Sequence, residues 1–108
     1  MKNYTGTYTP SFPISARPMG EIAGYPVRPG YFEDFGATLL PVGVNLTVHT
    51  HHGTSCELLL FHKGEEEPYA VLPFPASYKI GDVYSMIVFG LNIEEFEYAY
   101  RVDGPSNL

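Results

Sequence analysis

Short segments in which apolar and polar residues alternate recur along this chain, and turn residues separate them. In residues 44–50, valine and leucine alternate with asparagine, threonine and histidine, and alternate side chains of a strand point to opposite faces. Phe96–Asp103 alternates in the same way and then reaches Gly104-Pro105, a turn signal. Such segments recur about every ten residues without a helical period, which is typical of a sandwich. The sequence therefore predicts an all-β fold, an immunoglobulin-like β-sandwich of about seven short antiparallel strands.

Other segments are also predicted strands. Residues 35–40 and 83–89 are mostly apolar, and Pro73 makes residues 69–74 a weaker strand. The segment Cys56–His62 is nearly all apolar, which is typical of a central strand that is covered on both faces. Cys56 begins this segment, so we expect a buried structural thiol.

The first 34 residues of the chain lack this periodicity. Their many prolines exclude a helix, and their aromatic residues are more numerous than a solvated, disordered tail would carry. We therefore expect residues 1–34 to form an extended arm on a protein surface. The sandwich is expected over residues 35–105, and residues 106–108 would begin a linker to a missing part of a longer protein.

Composition and charge exclude several classes of function. Twelve acidic and six basic residues give a net charge of -6, which would repel nucleic acid and an anionic membrane. The 108 residues suffice for one core but not for a barrel enzyme, which takes about 250 residues. One cysteine cannot form an internal disulfide, and the N-terminus does not resemble a signal peptide. We therefore expect a cytoplasmic protein.

Four segments carry a resemblance to a known family. They follow one another as Phe35-Gly36-Ala37-Thr38, Gly43-Val44-Asn45-Leu46, Glu57–Phe61 and Tyr98–Pro105. In this order they resemble carbohydrate-binding module family 48, the N-terminal module of isoamylase- and pullulanase-type glycogen debranching enzymes of glycoside hydrolase family 13. The resemblance covers about residues 29 to 105. The chain departs from the pattern at Val83-Tyr84-Ser85, where the family has a tryptophan.

The resemblance implies an accessory role beside a catalytic domain. The parent protein would cleave α-1,6-glucosidic bonds, and its catalytic carboxylates would lie in a barrel that this chain does not contain. The resemblance therefore implies no catalytic residue, metal or cofactor here. The implied partners are the catalytic barrel of the same polypeptide and α-glucan, such as glycogen or maltooligosaccharides.

Three tyrosines are the candidate glycan-binding residues. Modules of the resembled family stack aromatic rings on glucose, and nearby polar groups then orient the sugar. The chain has no tryptophan, so we expect Tyr69, Tyr78 and Tyr84 to take this role on an exposed face. The alternative is that these tyrosines lie in the core or at an interface, with the hydroxyl at the edge.

The last strand carries the candidate contacts to the barrel. Tyr98, Tyr100, Arg101 and Asp103 belong to the family motif, and the resemblance implies a junction between module and barrel here. By alternation, Arg101 and Asp103 face away from Tyr100. We therefore expect the two charged side chains to make a polar contact near this junction.

Two further patterns predict no reactive site. His49 and His51 would share one face of a strand and His52 is adjacent, but no cysteine, aspartate or glutamate lies within the same short window to complete a metal site. The glutamates at 65–67 and 94–95 are consecutive, so they cannot aim two carboxylates across one glycosidic bond. Two other functions stay open: a free-standing glycan-binding module and an immunoglobulin-like protein-interaction domain.

Overall fold

A computed structural model describes residues 17–33, 35–52 and 54–103 of the chain. These residues form nine β-strands and no α-helix, and the predicted all-β class is confirmed. The strands are β1 (Gly20–Ile22), β2 (Tyr25–Pro29), β3 (Gly36–Leu40), β4 (Gly43–His49), β5 (Ser55–His62), β6 (Ala70–Pro73), β7 (Lys79–Ile80), β8 (Val83–Phe89) and β9 (Phe96–Asp103). Single-turn 3-10 helices at Ala76–Tyr78 and Ile93–Glu95 precede β7 and β9.

The strands pair into two antiparallel sheets that share one core. The larger sheet has six strands in the order β1-β2-β8-β4-β3, and β7 also pairs with β8. The smaller sheet has three strands in the order β6-β5-β9. The outermost strands of the two sheets are therefore β1, β3, β6 and β9, and the two-residue β7 is a further edge beside β8.

The two sheets bury an apolar cluster between them. Val44 and Leu46 of β4 and Met86 of β8 supply it from the larger sheet, and Leu58 and Leu60 of β5 supply it from the smaller sheet. Each is fully buried, and burying an aliphatic side chain of this size contributes about 1.5–3 kcal/mol. Every second residue of these strands thus points to the inner face of its sheet.

The central strand of the smaller sheet is fully covered on one face only. Cys56, Leu58 and Leu60 of β5 are buried, whereas Leu59 and Phe61 between them are only partly buried. The expectation of two covered faces is therefore wrong, because an apolar run identifies a strand but not the layer above it. Cys56 is a buried free thiol, as predicted. Burial and the nearby Glu57 carboxylate raise the pKa of this thiol to about 11.

The predicted arm contains part of the sandwich. Residues 17–33 include β1 and β2, so the sandwich begins before the expected boundary at residue 35. Pro26 of β2 lies opposite Glu21 of the outermost strand, and Pro29 ends β2. Proline is tolerated near sheet margins and strand ends. The prolines of β2 therefore made a real strand look like a loop in the sequence. Residues 1–16 of the arm and 106–108 of the expected linker lie outside the described residues.

A short segment after β2 crosses the outer face of the larger sheet. Buried polar side chains of β4 and β8 hold its backbone: Asn45 accepts from the N–H of Tyr31 at 3.1 Å and donates to its carbonyl at 3.2 Å. Thr47 and Ser85 donate to the same carbonyl at 3.1 Å and 2.9 Å. Buried polar groups require such partners. We call these four residues the crossing network.

Glycine is required at the start of this crossing. Gly30 donates its N–H to the carbonyl of Ser85 at 3.1 Å. A Cβ atom at position 30 would collide with the side-chain oxygens of Asn45 and Ser85 and would lie 2.9 Å from the backbone nitrogen of Met86. Only a residue without a side chain lets the backbone approach the sheet this closely.

Replacing this glycine tests the packing of the crossing network. We expect Gly30→Ala to lower the free energy of unfolding by about 1–3 kcal/mol, as overpacking does in buried sites. Urea denaturation would measure the change. Gly20→Ala is the matched control, because a Cβ at position 20 meets its nearest atoms at ordinary distances of 3.8 Å and 3.9 Å. Equal stability of the two variants would contradict the close approach at Gly30.

Candidate functional site

An aromatic cluster lies at one end of the smaller sheet. His62, the last residue of β5, pairs with Phe96, the first residue of β9. Tyr69 precedes β6, and its N–H donates to the carbonyl of Leu60 at 2.6 Å. The ring of Tyr69 stacks on Phe96 with centroids 5.4 Å apart and 21° between the planes. His62 contacts both rings, at 4.3 Å from Tyr69 and 5.6 Å from Phe96.

The larger sheet contributes a fourth ring to this cluster. Tyr25, the first residue of β2, lies close enough to Tyr69 for the two phenol groups to interact electrostatically. Burial raises the pKa of Tyr25, and the nearby Tyr69 hydroxyl adds to the shift. Tyr25, His62, Tyr69 and Phe96, which we call the aromatic cluster, therefore connect the two sheets at this end of the sandwich.

Tyr69 and His62 are the accessible rings of the aromatic cluster. Tyr69 is 52% exposed and His62 is also exposed, whereas Tyr25 and Phe96 are partly buried. Tyr69 stacks on Phe96 and lies near Tyr25, so its ring packs against the module while much of its surface meets solvent. A fixed aromatic surface beside polar groups suits a small polar ligand that also has an apolar face.

The other two predicted glycan-binding tyrosines are buried. Tyr84 is 1% exposed and Tyr78 is 9% exposed, so neither ring offers a face for stacking and the expected exposure is wrong. Tyr84 packs against Phe74 with centroids 5.8 Å apart, and Lys79 Nζ lies 5.6 Å from its ring centre. All of residues 84–88 are buried, so β8 is covered on both faces and offers no exposed ring.

The residues predicted at the barrel junction lie along the edge strand β9. Arg101 and Asp103 are exposed, while Tyr100 and Val102 on the other face are partly buried, as the alternation predicts. The Nε of Arg101 donates to Glu57 Oε1 on β5 at 2.6 Å. The carbonyl of Asp103 accepts from the N–H of Thr54 at 2.6 Å. These contacts order the polar side of β9.

Tyr98 and Tyr100 lie on the inner side of the same strand. Their rings contact each other with centroids 5.8 Å apart, and Tyr98 is the more exposed. The hydroxyl of Tyr100 is buried and has no hydrogen-bond partner among the described residues. Burial raises the pKa of Tyr100 well above its ordinary value, and Tyr98 and Cys56 add smaller contributions.

The histidine-rich loop after β4 brings two imidazoles together. The rings of His49 and His51 lie 4.4 Å apart, edge to face, and His52 Nδ1 lies 3.3 Å from Asp82 Oδ2. The backbone of Thr50 is fixed by a 2.8 Å hydrogen bond to the Asp82 carbonyl. Within residues 17–33, 35–52 and 54–103, no three histidine, cysteine or acidic side chains form a group that could hold a metal ion.

The fold and site together define a β-sandwich binding module. The family model for carbohydrate-binding module 48, the isoamylase N-terminal domain, matches residues 34–107. The chain therefore belongs to this family, and the resemblance seen in the sequence is confirmed. Modules of this family are non-catalytic, so the chain alone is not an enzyme. No curated protein matches the chain.

The family assignment covers less of the chain than the fold does. The match begins at residue 34, after β1 and β2. It includes Tyr69, His62 and Phe96 but not Tyr25.

In the part of the chain that the structure describes, no helix is long and apolar enough to cross a membrane.

Removing the buried hydroxyl of Tyr100 should stabilise the fold. We expect Tyr100→Phe to raise the free energy of unfolding by about 1 kcal/mol. The variant removes a hydroxyl that loses its hydrogen bonds to water on folding and gains none in return. Urea denaturation at neutral pH would measure the gain. Tyr98→Phe is the matched control on the same strand, and its exposed hydroxyl should leave stability within about 0.5 kcal/mol.

The same variant should change the alkaline stability of the protein. Cys56 and Tyr100 both have raised pKa values in the fold, so the unfolded chain ionises first. Stability is therefore full below the ordinary thiol pKa of 9.0 and falls as the pH rises toward about 11. Tyr100→Phe should soften this fall at the alkaline end. Identical pH profiles, or a loss of stability at neutral pH, would contradict the burial of the hydroxyl.

Proposed function

We propose that this chain is the N-terminal accessory module of a glycogen-debranching, isoamylase-like α-1,6-glucosidase. In this proposal the module packs against the catalytic barrel of the same polypeptide and binds α-glucan weakly through Tyr69. The observation that carries the glycan role is the half-exposed ring of Tyr69, held by Phe96 and Tyr25. Membership of the carbohydrate-binding family supports the same role.

The chemistry of the aromatic cluster suits a glucose unit. One face of a pyranose ring is lined by C–H groups, and an aromatic ring can cover that face without a hydrogen bond. The Tyr69 ring carries a hydroxyl group, and the exposed imidazole of His62 lies next to that ring. Both groups can form hydrogen bonds with sugar hydroxyls. One accessible tyrosine buries little of a ligand's surface, so the proposal is a weak site that gains strength on a long, repeating glucan.

The polar side of β9 supports the proposed contact with a barrel. The ion pair between Arg101 and Glu57 is partly solvent-exposed, and Asp103 is exposed on the same side, while Tyr98 is exposed on the other side of the strand. A shallow cleft of about 250 Å³ lies between Ser55, Glu57, Arg101, Val102 and Asp103. Mixed polar and aromatic surfaces of this kind are common between domains of one chain. We assign the module–barrel junction to this side.

A free-standing glycan-binding module is the second candidate. The accessibility of Tyr69 in this chain alone favours it, because the ring needs no second domain to be fixed.

We also propose a cytoplasmic location. The buried free thiol of Cys56 supports it, since a reducing compartment leaves such a cysteine unpaired.

Glycan binding can be tested by titrating the chain with maltoheptaose and with glycogen. We expect the tyrosine resonances of Tyr69 to shift, and we expect Tyr69→Ala to weaken binding by at least about tenfold. Tyr98→Ala is the matched control, because it removes an exposed tyrosine of the same sheet outside the aromatic cluster. No shift at Tyr69, or equal effects of the two variants, would exclude the proposed site.

The enzymatic context needs a separate test. We expect the gene to continue into a barrel domain, and we expect the full-length protein to release reducing ends from pullulan and limit dextrins. The 108-residue chain should release none from either substrate. A reading frame that encodes no barrel would favour the free-standing module. Hydrolysis by the purified chain alone would contradict the accessory role.

A further inference from the structure

The net charge of the chain is concentrated in two short segments. Residues 63–67 contain one lysine and three glutamates, and residues 94–97 contain three more glutamates. Six acidic residues and one basic residue give these two segments, which we call the acidic segments, a charge of -5 out of -6 for the whole chain. The remaining residues, with six acidic and five basic side chains, are close to neutral.

Both acidic segments border the aromatic cluster. Residues 63–67 lie in the connection between His62 and Tyr69, and Phe96 lies within residues 94–97. Each of the six glutamates is therefore within three residues of a ring of the cluster. All six side chains are exposed. The ring of Tyr69 thus has carboxylates from two separate parts of the chain close to it.

Backbone hydrogen bonds anchor both acidic segments. The N–H of Glu65 donates to the carbonyl of His62 at 3.0 Å, in the turn that follows β5. In the second segment, the side-chain oxygen of Asn92 accepts from the N–H of Glu94 at 3.2 Å, and its carbonyl accepts from the N–H of Glu95 at 3.0 Å. The backbone that carries the carboxylates is therefore held beside the cluster.

Lysine and arginine side chains do little to offset this charge. Lys63 is the only base in either acidic segment. Arg101 is paired with Glu57, Lys79 lies over an aromatic ring of the core, and Arg28 donates to the neighbouring backbone carbonyl. The surroundings of Tyr69 are therefore strongly negative.

We propose that the aromatic cluster selects uncharged α-glucan over glucan that carries phosphate monoesters. This inference rests on the glycan role proposed above for Tyr69. A phosphate monoester carries about two negative charges at neutral pH, and a sugar stacked on Tyr69 brings its own phosphate close to the acidic segments. The repulsion acts only against the phosphorylated ligand, because sugar hydroxyls carry no charge. Charges placed against the wrong ligand are a general source of specificity.

The glutamates act through their charge and need no direct contact with the sugar. Charges interact over about 30 Å at an ionic strength of 0.01 M but only over about 3 Å at 1 M. The selectivity should therefore be large at low salt and absent at high salt. Stacking of an uncharged sugar on Tyr69 has no such dependence on charge screening.

An NMR titration followed at Tyr69 tests the proposal with two probes. One is maltoheptaose, and the other is maltoheptaose that carries one phosphate on a glucose C6 hydroxyl. At an ionic strength of about 0.01 M we expect the phosphorylated sugar to bind about tenfold more weakly. At about 1 M the two dissociation constants should agree within about twofold.

Neutralising two glutamates beside Tyr69 should reduce the selectivity. We expect the double variant Glu66→Gln and Glu67→Gln to lower the preference at low salt from about tenfold to about fourfold, because it removes two of the five net negative charges. Glu33→Gln combined with Asp82→Asn is the matched control, because it removes two charges outside the acidic segments. It should leave the preference at about tenfold. Equal effects of the two double variants would contradict the role of the acidic segments.

Charged nitroxide probes report the charge around Tyr69 without any sugar. At low salt we expect a cationic nitroxide to broaden the Tyr69 resonances more than an anionic nitroxide does. Equal broadening by the two nitroxides, or equal binding of the two sugars at low salt, would overturn the selectivity and leave the glycan role intact. Absence of binding by either sugar would overturn the glycan role of Tyr69 and the selectivity with it.

Discussion

The carbonyl of Tyr31 determines how the larger sheet is closed on its outer side. Three buried side chains, Asn45, Thr47 and Ser85, converge on this one backbone group. Buried polar groups without partners are costly, so the segment after β2 has one crossing position at which all of them are satisfied. The outer face of β4 and β8 is thereby covered by the chain's own backbone, and the ends of β2 and β3 are set on opposite sides of the sheet.

Much of the fold could be predicted because burial on one face imposes a period of two. β9 is of this kind, and its inner and outer residues follow the alternation. β4 alternates in residue type, although its outer residues Asn45 and Thr47 are buried as well. β8 could be recognised as a strand, but both of its faces are buried, so nothing in its sequence separated an inner tyrosine from an outer one. β2 was hidden by Pro26 and Pro29, which the sheet accepts beside an edge strand.

The candidate site could be predicted only in part. Tyr69 was proposed from residue type and family resemblance, and its exposure makes the proposal physically possible. Tyr25, His62 and Phe96 were missed because they come from β2, β5 and β9 and meet only when the sheets pair. No local spacing connects residues so far apart in the chain. What arranges the cluster is the register of β5 against β9, which places His62 beside Phe96.

The region of family similarity and the folded unit do not share a beginning. The match starts at residue 34, yet Gly30 and Tyr31 are the residues that cover Asn45 and Ser85. A fragment limited to the matched residues would leave those polar side chains without their Tyr31 partner. Its hydrophobic layer between the sheets would also lose Val27 of β2. Sequence similarity shows which residues the chain shares with the family. A domain that folds independently also needs the residues that cover its buried groups, whether or not they match the family.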